Sequence, residues 1–199
     1  MNRIGWDVRP TIQNCAIPIT DTLVPSSMLA HDEIIVRPGN KKDLPFLREM
    51  LFEAAFWRPD QERPSLEEGL EREDLSFLLD DWGRQGDAAV IALEQDGCPI
   101  GAAWCRFWGP EQHSYGYISP EIPELGIAVR QSYRGLGIGH LLVEALLLMA
   151  AEVGIEKVSL SVEVDNPAVK FYRSHGFEIV NKVGNAWTMA ANTQGKGRK

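Results

Sequence analysis

Cysteine is scarce, with Cys15, Cys98 and Cys105 the only three in 199 residues. They are scattered, without a C-x-x-C pair or a neighbouring histidine, so the pattern supports neither a disulfide framework nor a zinc site. No metal is expected. A basic excess is also missing: 28 acids against 20 bases leave a formal net charge of -8. Nucleic acids and anionic membranes require a basic footprint, and neither is an expected partner. A small anionic ligand needs only a local positive site and stays open. The most apolar stretch, Leu141 to Ala151, contains Glu144 and falls far short of the ~20 residues that span a bilayer. Met1 to Asp7 lack the apolar core of a signal peptide, so a cytoplasmic chain is expected.

What is present is ordinary globular composition, 44% hydrophobic and 24% charged, at a length suited to one domain with a full core. Residues 1–32 carry Pro10, Pro18 and Pro25 without a sustained period. They read as an extension, either loosely ordered or wrapped along the domain. The domain is expected over 33–191, with a flexible basic tail over 192–199.

Within the domain, Ile34 to Val36 form a β-branched strand. Leu44, Leu47, Leu51 and Ala54 share one face of a helix from Asp43 to about Trp57. Ser65-Leu66-Glu67-Glu68 is a capping box predicting a second helix that runs to about Trp82. Ala88–Leu93 and Pro99–Phe107 read as a hairpin turned at Asp96-Gly97. A loop rich in Gly, Pro and aromatics spans 108–122. Then come a strand at Glu124–Val129, a long helix at 138–153 and a strand at 157–164. A short helix from Pro167 and two closing strands, Phe177–Val180 and Ala186–Met189, complete the domain.

The most informative segment is the turn Arg130-Gln131-Ser132-Tyr133-Arg134-Gly135-Leu136-Gly137-Ile138-Gly139, which holds two arginines and no acid. Glycines at alternate positions let backbone N–H groups converge, and the following helix adds its positive end. That combination suits a phosphate, although a purely structural turn fits the same residues. A Walker A loop would need a lysine after the last glycine, and none follows. A dinucleotide fold would need G-x-G-x-x-G directly after the strand, but His140 stands at the third glycine. Downstream, Asn166, Pro167 and Gly176 read as cap, first helical residue and terminator of a short helix carrying Phe171 and Tyr172.

In order and spacing, the strand Glu124-Leu125-Gly126-Ile127-Ala128-Val129, the turn Arg134-x-x-Gly137-x-Gly139 and the element Asn166-x-Ala168-x-x-Phe171-Tyr172-x-x-x-Gly176-Phe177 resemble the central motifs of the GNAT superfamily of acetyl-CoA-dependent N-acetyltransferases. The close resemblance covers roughly 123–180. It implies an α/β (α+β) fold: a mixed, twisted sheet of six to seven strands flanked by about four helices and splayed between 124–129 and 157–164. It further implies acetyl-CoA in that cleft as co-substrate. The pyrophosphate would meet the N–H groups of Arg134, Gly135, Leu136, Gly137, Ile138, Gly139 and His140. The pantetheine would pair with the backbone of Ile127, Ala128 and Val129, and with the side chain of Asn166.

The implied activity is acetyl transfer to a primary amine, on a small molecule or a protein, within a ternary complex. The alternative is a catalytically silent acyl-CoA-binding module, and either a monomer or a homodimer is compatible. The resemblance makes Tyr172 the candidate general acid near the thioester sulfur. An alkylammonium must lose a proton before it attacks, and Glu124 is the candidate base; a structural carboxylate is the other reading. A backbone N–H within 127–129 is the expected oxyanion donor. Cys105 has no recognisable base beside it. For the acceptor, Trp57 and the acids Asp60, Glu62, Glu67, Glu68, Glu71, Glu73, Asp74, Asp80 and Asp81 fit either a mouth for a cationic amine or a solvated helix face.

Overall fold

In a computed structural model, residues 34–194 are described. The expected extension and the last five residues of the tail lie outside the described residues. Strands β1 (Ile35–Pro38), β2 (Ala88–Leu93), β3 (Pro99–Arg106), β4 (Glu124–Val129), β5 (Lys157–Glu163), β6 (Glu178–Val183) and β7 (Ala186–Asn192) form one sheet. The helices are α1 (Leu44–Ala55), α2 (Leu66–Leu70), α3 (Ile138–Glu152) and α4 (Ala168–Ser174). The strand order is β1-β2-β3-β4-β5-β7-β6, so the expected count of strands and helices holds.

Neighbours pair antiparallel except β4 and β5, which run parallel and meet at one register pair, Glu124 with Ser159. The Ser159 amide donates to Pro123 O at 3.0 Å, and beyond that point the two strands part. By contrast, β5 stays paired with β7 over seven positions. The sheet is therefore continuous on either side of an opening in its middle. This is the expected splay.

Period-2 alternation sends the strand side chains into two cores. Leu125, Ile127 and Val129 pack with Leu142 and Leu146 of α3, whereas Ala128 packs with Leu47 and Met50 of α1 on the other face. Phe46, Leu47, Met50, Leu51 and Phe52 are all buried on α1. At about 1.5–3 kcal/mol for each large apolar side chain, that burial fixes α1 against the sheet beside the opening.

The second helix is shorter than its pattern predicts. The capping box forms as read: Ser65 Oγ accepts from the Glu68 amide and the Glu68 carboxylate accepts from the Ser65 amide. Yet the helix ends at Leu70, and 71–83 proceeds by turns, with Asp81 at φ 51°. Tertiary contacts override propensity here. Leu70, Leu75, Leu79 and Trp82 are all buried. The Leu78 carbonyl accepts from Arg106 Nη1 at 3.0 Å instead of from a helical amide.

Candidate active site

The phase of the β3–β4 ladder determines what the opening offers a ligand. The Arg130 amide donates to Ile100 O at 2.9 Å. Alternation along the antiparallel register then turns the backbone polar groups of Ala128 and Gly126 toward β3. Those of Ile127 and Val129 face the opening. Of the three residues expected to pair with a ligand strand, Ala128 is thus committed to Ala102. The Val129 carbonyl accepts from Arg134 Nε at 3.0 Å, which leaves the Ile127 amide and carbonyl and the Val129 amide along the edge.

At the far end of β4, Gly135 and Gly137 both sit at φ 81°, a left-handed conformation that disfavours any residue with a Cβ. Gly137 directly precedes α3 and brings no side-chain cap, so the first amides of a 15-residue helix remain available to a ligand. Arg134, Gly135, Gly137, Ile138, Gly139 and His140 line the opening; Leu136 instead packs into the α3-side core. The Arg134 guanidinium is held by Glu53 of α1 at 2.8 Å, part of a link between α1 and this turn. The His140 and His175 rings approach at 3.1 Å, from Nδ1 to Nε2, beside Phe171.

Glu124 occupies the vertex where β4 and β5 diverge. Its Oε1 accepts from Ser114 Oγ at 3.0 Å and from the Gly116 amide at 2.9 Å, while its buried Oε2 has no protein partner. Burial raises the carboxyl to about 7, and the bonds from Ser114 and Gly116 offset part of that shift. Gly116 allows the loop to come this close: a Cβ there would stand 2.6 Å from Glu124 Oε1 and 2.7 Å from the Leu160 backbone. No motif in the sequence marks this loop contact. A glycine inside an aromatic-rich loop was the available signal.

Tyr172, on α4, lines the same opening and packs against Phe171 and Phe177, with ring centroids 5.3 and 5.8 Å away. Burial pushes its hydroxyl up to about 12, so it stays protonated at neutral pH. Asn166 also lines the opening, and its Oδ1 caps α4 by accepting from the Ala168 amide at 2.8 Å. Cys105 is free and buried, with its thiol pushed up to about 12 by burial and by nearby Asp87, so it is a poor nucleophile.

For the acids of 60–81, the solvated face is the reading that fits. Of that group only Asp74 lines the cleft, and it is paired with Arg72 at 2.8 Å. The remaining lining carboxylates are Glu53, Glu124 and Glu163. Glu53 is paired with Arg134 and Glu163 with Arg58, leaving Glu124 the one without an ion pair among the described lining residues. Arg58 also binds Asp165 through two bonds of 2.7 and 2.8 Å, and Trp57 Nε1 donates to Glu163 at 2.9 Å. Together Trp57 and Arg58 bridge from beyond the end of α1 to the end of β5, over a cleft of about 1170 Å³. No local pattern marks this bridge, because its partners lie more than 100 positions apart.

Residues 49–177 match the model of the acetyltransferase (GNAT) family. A mycothiol acetyltransferase from Corynebacterium aurimucosum is 34% identical over 139 residues, which cover 65% of this chain and 41% of that protein. An N-alpha-acetyltransferase from Sulfurisphaera tokodaii is 34% identical over 107 residues, covering 49% of this chain and 60% of that protein. The match thus spans roughly half the length of these curated relatives. Among solved structures, a PaiA N-acetyltransferase from Thermoplasma acidophilum in complex with coenzyme A superposes with TM-score 0.61 at 20% identity. That superposition covers 80% of this chain and 98% of the other. A ribosomal-protein-alanine N-acetyltransferase from Brucella melitensis gives TM-score 0.56 at 22% identity, over 79% and 99%. At these identities the superpositions establish a shared fold.

Proposed function

The chain belongs to the acetyltransferase (GNAT) family, and from that premise we propose that it transfers an acetyl group from acetyl-CoA to a primary amine by direct attack in a ternary complex. The observation that carries this reading is Glu124. A buried carboxyl with proton affinity near neutrality, one oxygen anchored and the other without a protein partner, stands where an open strand edge begins.

In this reading the pantetheine arm adds to the opening as a strand would, pairing with Ile127 and Val129. The Asn166 side-chain amide donates to it, and the turn from Arg134 to His140 receives the pyrophosphate. Glu124 takes one proton from the acceptor ammonium. The neutral nitrogen forms its bond to the thioester carbonyl carbon, with a gap-facing β4 amide stabilising the oxyanion. As the intermediate collapses, the carbon–sulfur bond breaks and Tyr172 gives its proton to the departing sulfur. One of the two protons still on nitrogen restores Tyr172, the other stays as the amide N–H, and the proton on Glu124 passes to solvent.

The charge distribution supports an acceptor presenting one amine to Glu124, since the other lining carboxylates are already paired with arginine. In this reading the amine meets Glu124 and not the acids of 60–81. The test is acetyl-CoA-dependent thiol release over a panel of amines and peptide N-termini, with product mass confirmed. Turnover on at least one amine is expected. Tight acetyl-CoA binding without turnover on any acceptor would mark a silent binding module instead.

A further inference from the structure

Two buried polar atoms without a protein partner stand on neighbouring residues of one sheet row, Glu124 Oε2 and Ser159 Oγ. Their residues form the single register pair that joins β4 to β5, at the vertex of the opening. Ser159 is 0% exposed. Its neighbours Val158 and Leu160 point into the α3-side core, so alternation turns the Ser159 side chain to the other face of the sheet. Glu124 alternates to that same face, because Leu125 also points into the α3-side core. Adjacent strands lie about 4.8 Å apart, which puts the hydroxyl within reach of the carboxylate after a side-chain rotation or through one water.

We propose that Ser159 is a positioning residue for acetyl transfer: its hydroxyl donates to the second carboxylate oxygen of Glu124 when that oxygen is charged. The proposal rests on the reading of Glu124 as the base. A hydroxyl suits the task because it carries one donor and two lone pairs. It donates to the ionised carboxylate and, after rotation, accepts from the protonated acid, so Oε2 keeps a partner in both states. Ser114 and Gly116 already fix Oε1. With Ser159 on Oε2, both oxygens are held and the carboxylate plane is set before an amine arrives.

Several other charged or titratable groups face this carboxyl. From β3, Arg106 is the register neighbour of Glu124 and is held by Asp87 at 2.7 Å. The 108–117 loop brings His113, which favours the ionised form, and Tyr115. Tyr172 comes from α4, and Glu163 with its partner Arg58 stands toward the end of β5. Ser114 and the Gly116 amide are engaged with Oε1 and the Trp108 side chain lies beside the carboxyl, whereas Ser159 is the row neighbour whose buried hydroxyl has no protein partner.

The deciding measurement is the pH profile of kcat/KM for the amine in the whole protein and its variants. Ser159→Ala is expected to move the acidic limb upward by about half to one pH unit, a loss of about 3- to 10-fold well below the limb and about 2- to 5-fold at neutrality that fades at alkaline pH. KM for acetyl-CoA should not change. Ser159→Thr, which restores the hydroxyl, should bring the limb back. A Ser159→Ala profile that superimposes on the wild type, while Glu124→Gln abolishes the limb, overturns the proposal alone. A wild-type profile in Glu124→Gln overturns the reading of Glu124 itself and the proposal with it.

Discussion

Tyr172 and Glu124 line one opening, and burial raises the proton affinity of both with different consequences. For Tyr172 the shift, to about 12, secures a donor that stays protonated across neutral pH. Tyr172→Phe is therefore expected to lower kcat by about 10²-fold while leaving acetyl-CoA affinity unchanged, as read from steady-state kinetics beside calorimetric binding. For Glu124 the shift, to about 7, brings a carboxyl into the range where a base is half-ionised at working pH. Activity should rise with pH through about 7, and Glu124→Gln should remove that limb. The same shift affects stability. The folded value lies above the unfolded one, so its stabilising contribution is complete at acidic pH and declines as pH rises through about 7. Glu124→Gln should then match the wild type in thermal stability near pH 4 and exceed it at pH 8, on the order of 2 kcal/mol. Equal stabilities at pH 8 would contradict the burial argument.

At the scale of elements, the site depends on close backbone approach. The 108–122 loop crosses the vertex only because Gly116 has no Cβ to meet Glu124 and Leu160. Gly116→Ala should destabilise by about 1–3 kcal/mol in urea unfolding and also depress turnover, because the amide that anchors Oε1 must move. Loss of stability with full activity would show that this anchor is dispensable. The strands and the long helix were legible from period and caps. In α2 the start was legible but the end was not. Its capping box is a local hydrogen-bond exchange within four residues. The turns over 71–83 instead follow from the anchoring of Leu75, Leu79 and Trp82 in a core whose other residues lie elsewhere in the chain.

Across the whole molecule, the sheet separates two apolar cores, and a buried ion pair lies within it. Arg106 and Asp87 are 2% and 1% exposed and meet at 2.7 Å, with Trp82 and Trp108 rings beside the guanidinium. Removing one member leaves the other charge buried. Arg106→Ala should therefore cost about 3–5 kcal/mol in unfolding free energy. A double replacement of Arg106 and Asp87 by apolar residues of matching size should recover much of that loss, as the same titration would show.

The sequence by itself determined the order of elements, the two motifs that mark the family, the glycine turn before α3 and the candidate roles of Glu124 and Tyr172. These are short-range features: a strand's period, a cap, a positive φ that glycine accepts, a spacing of a few residues. Only the tertiary structure decided which backbone groups of β4 face the opening, because that depends on the phase of pairing with β3. Long-range pairing likewise decided that Arg58 closes over Glu163 and Asp165, and that most acids of 60–81 lie away from the cleft. The same holds for the meeting of Glu124 with Ser114, Gly116 and Ser159 at the point where two strands part. Ion pairs, burial and proton affinity arise from groups brought together by folding across tens of residues, and no local pattern records them.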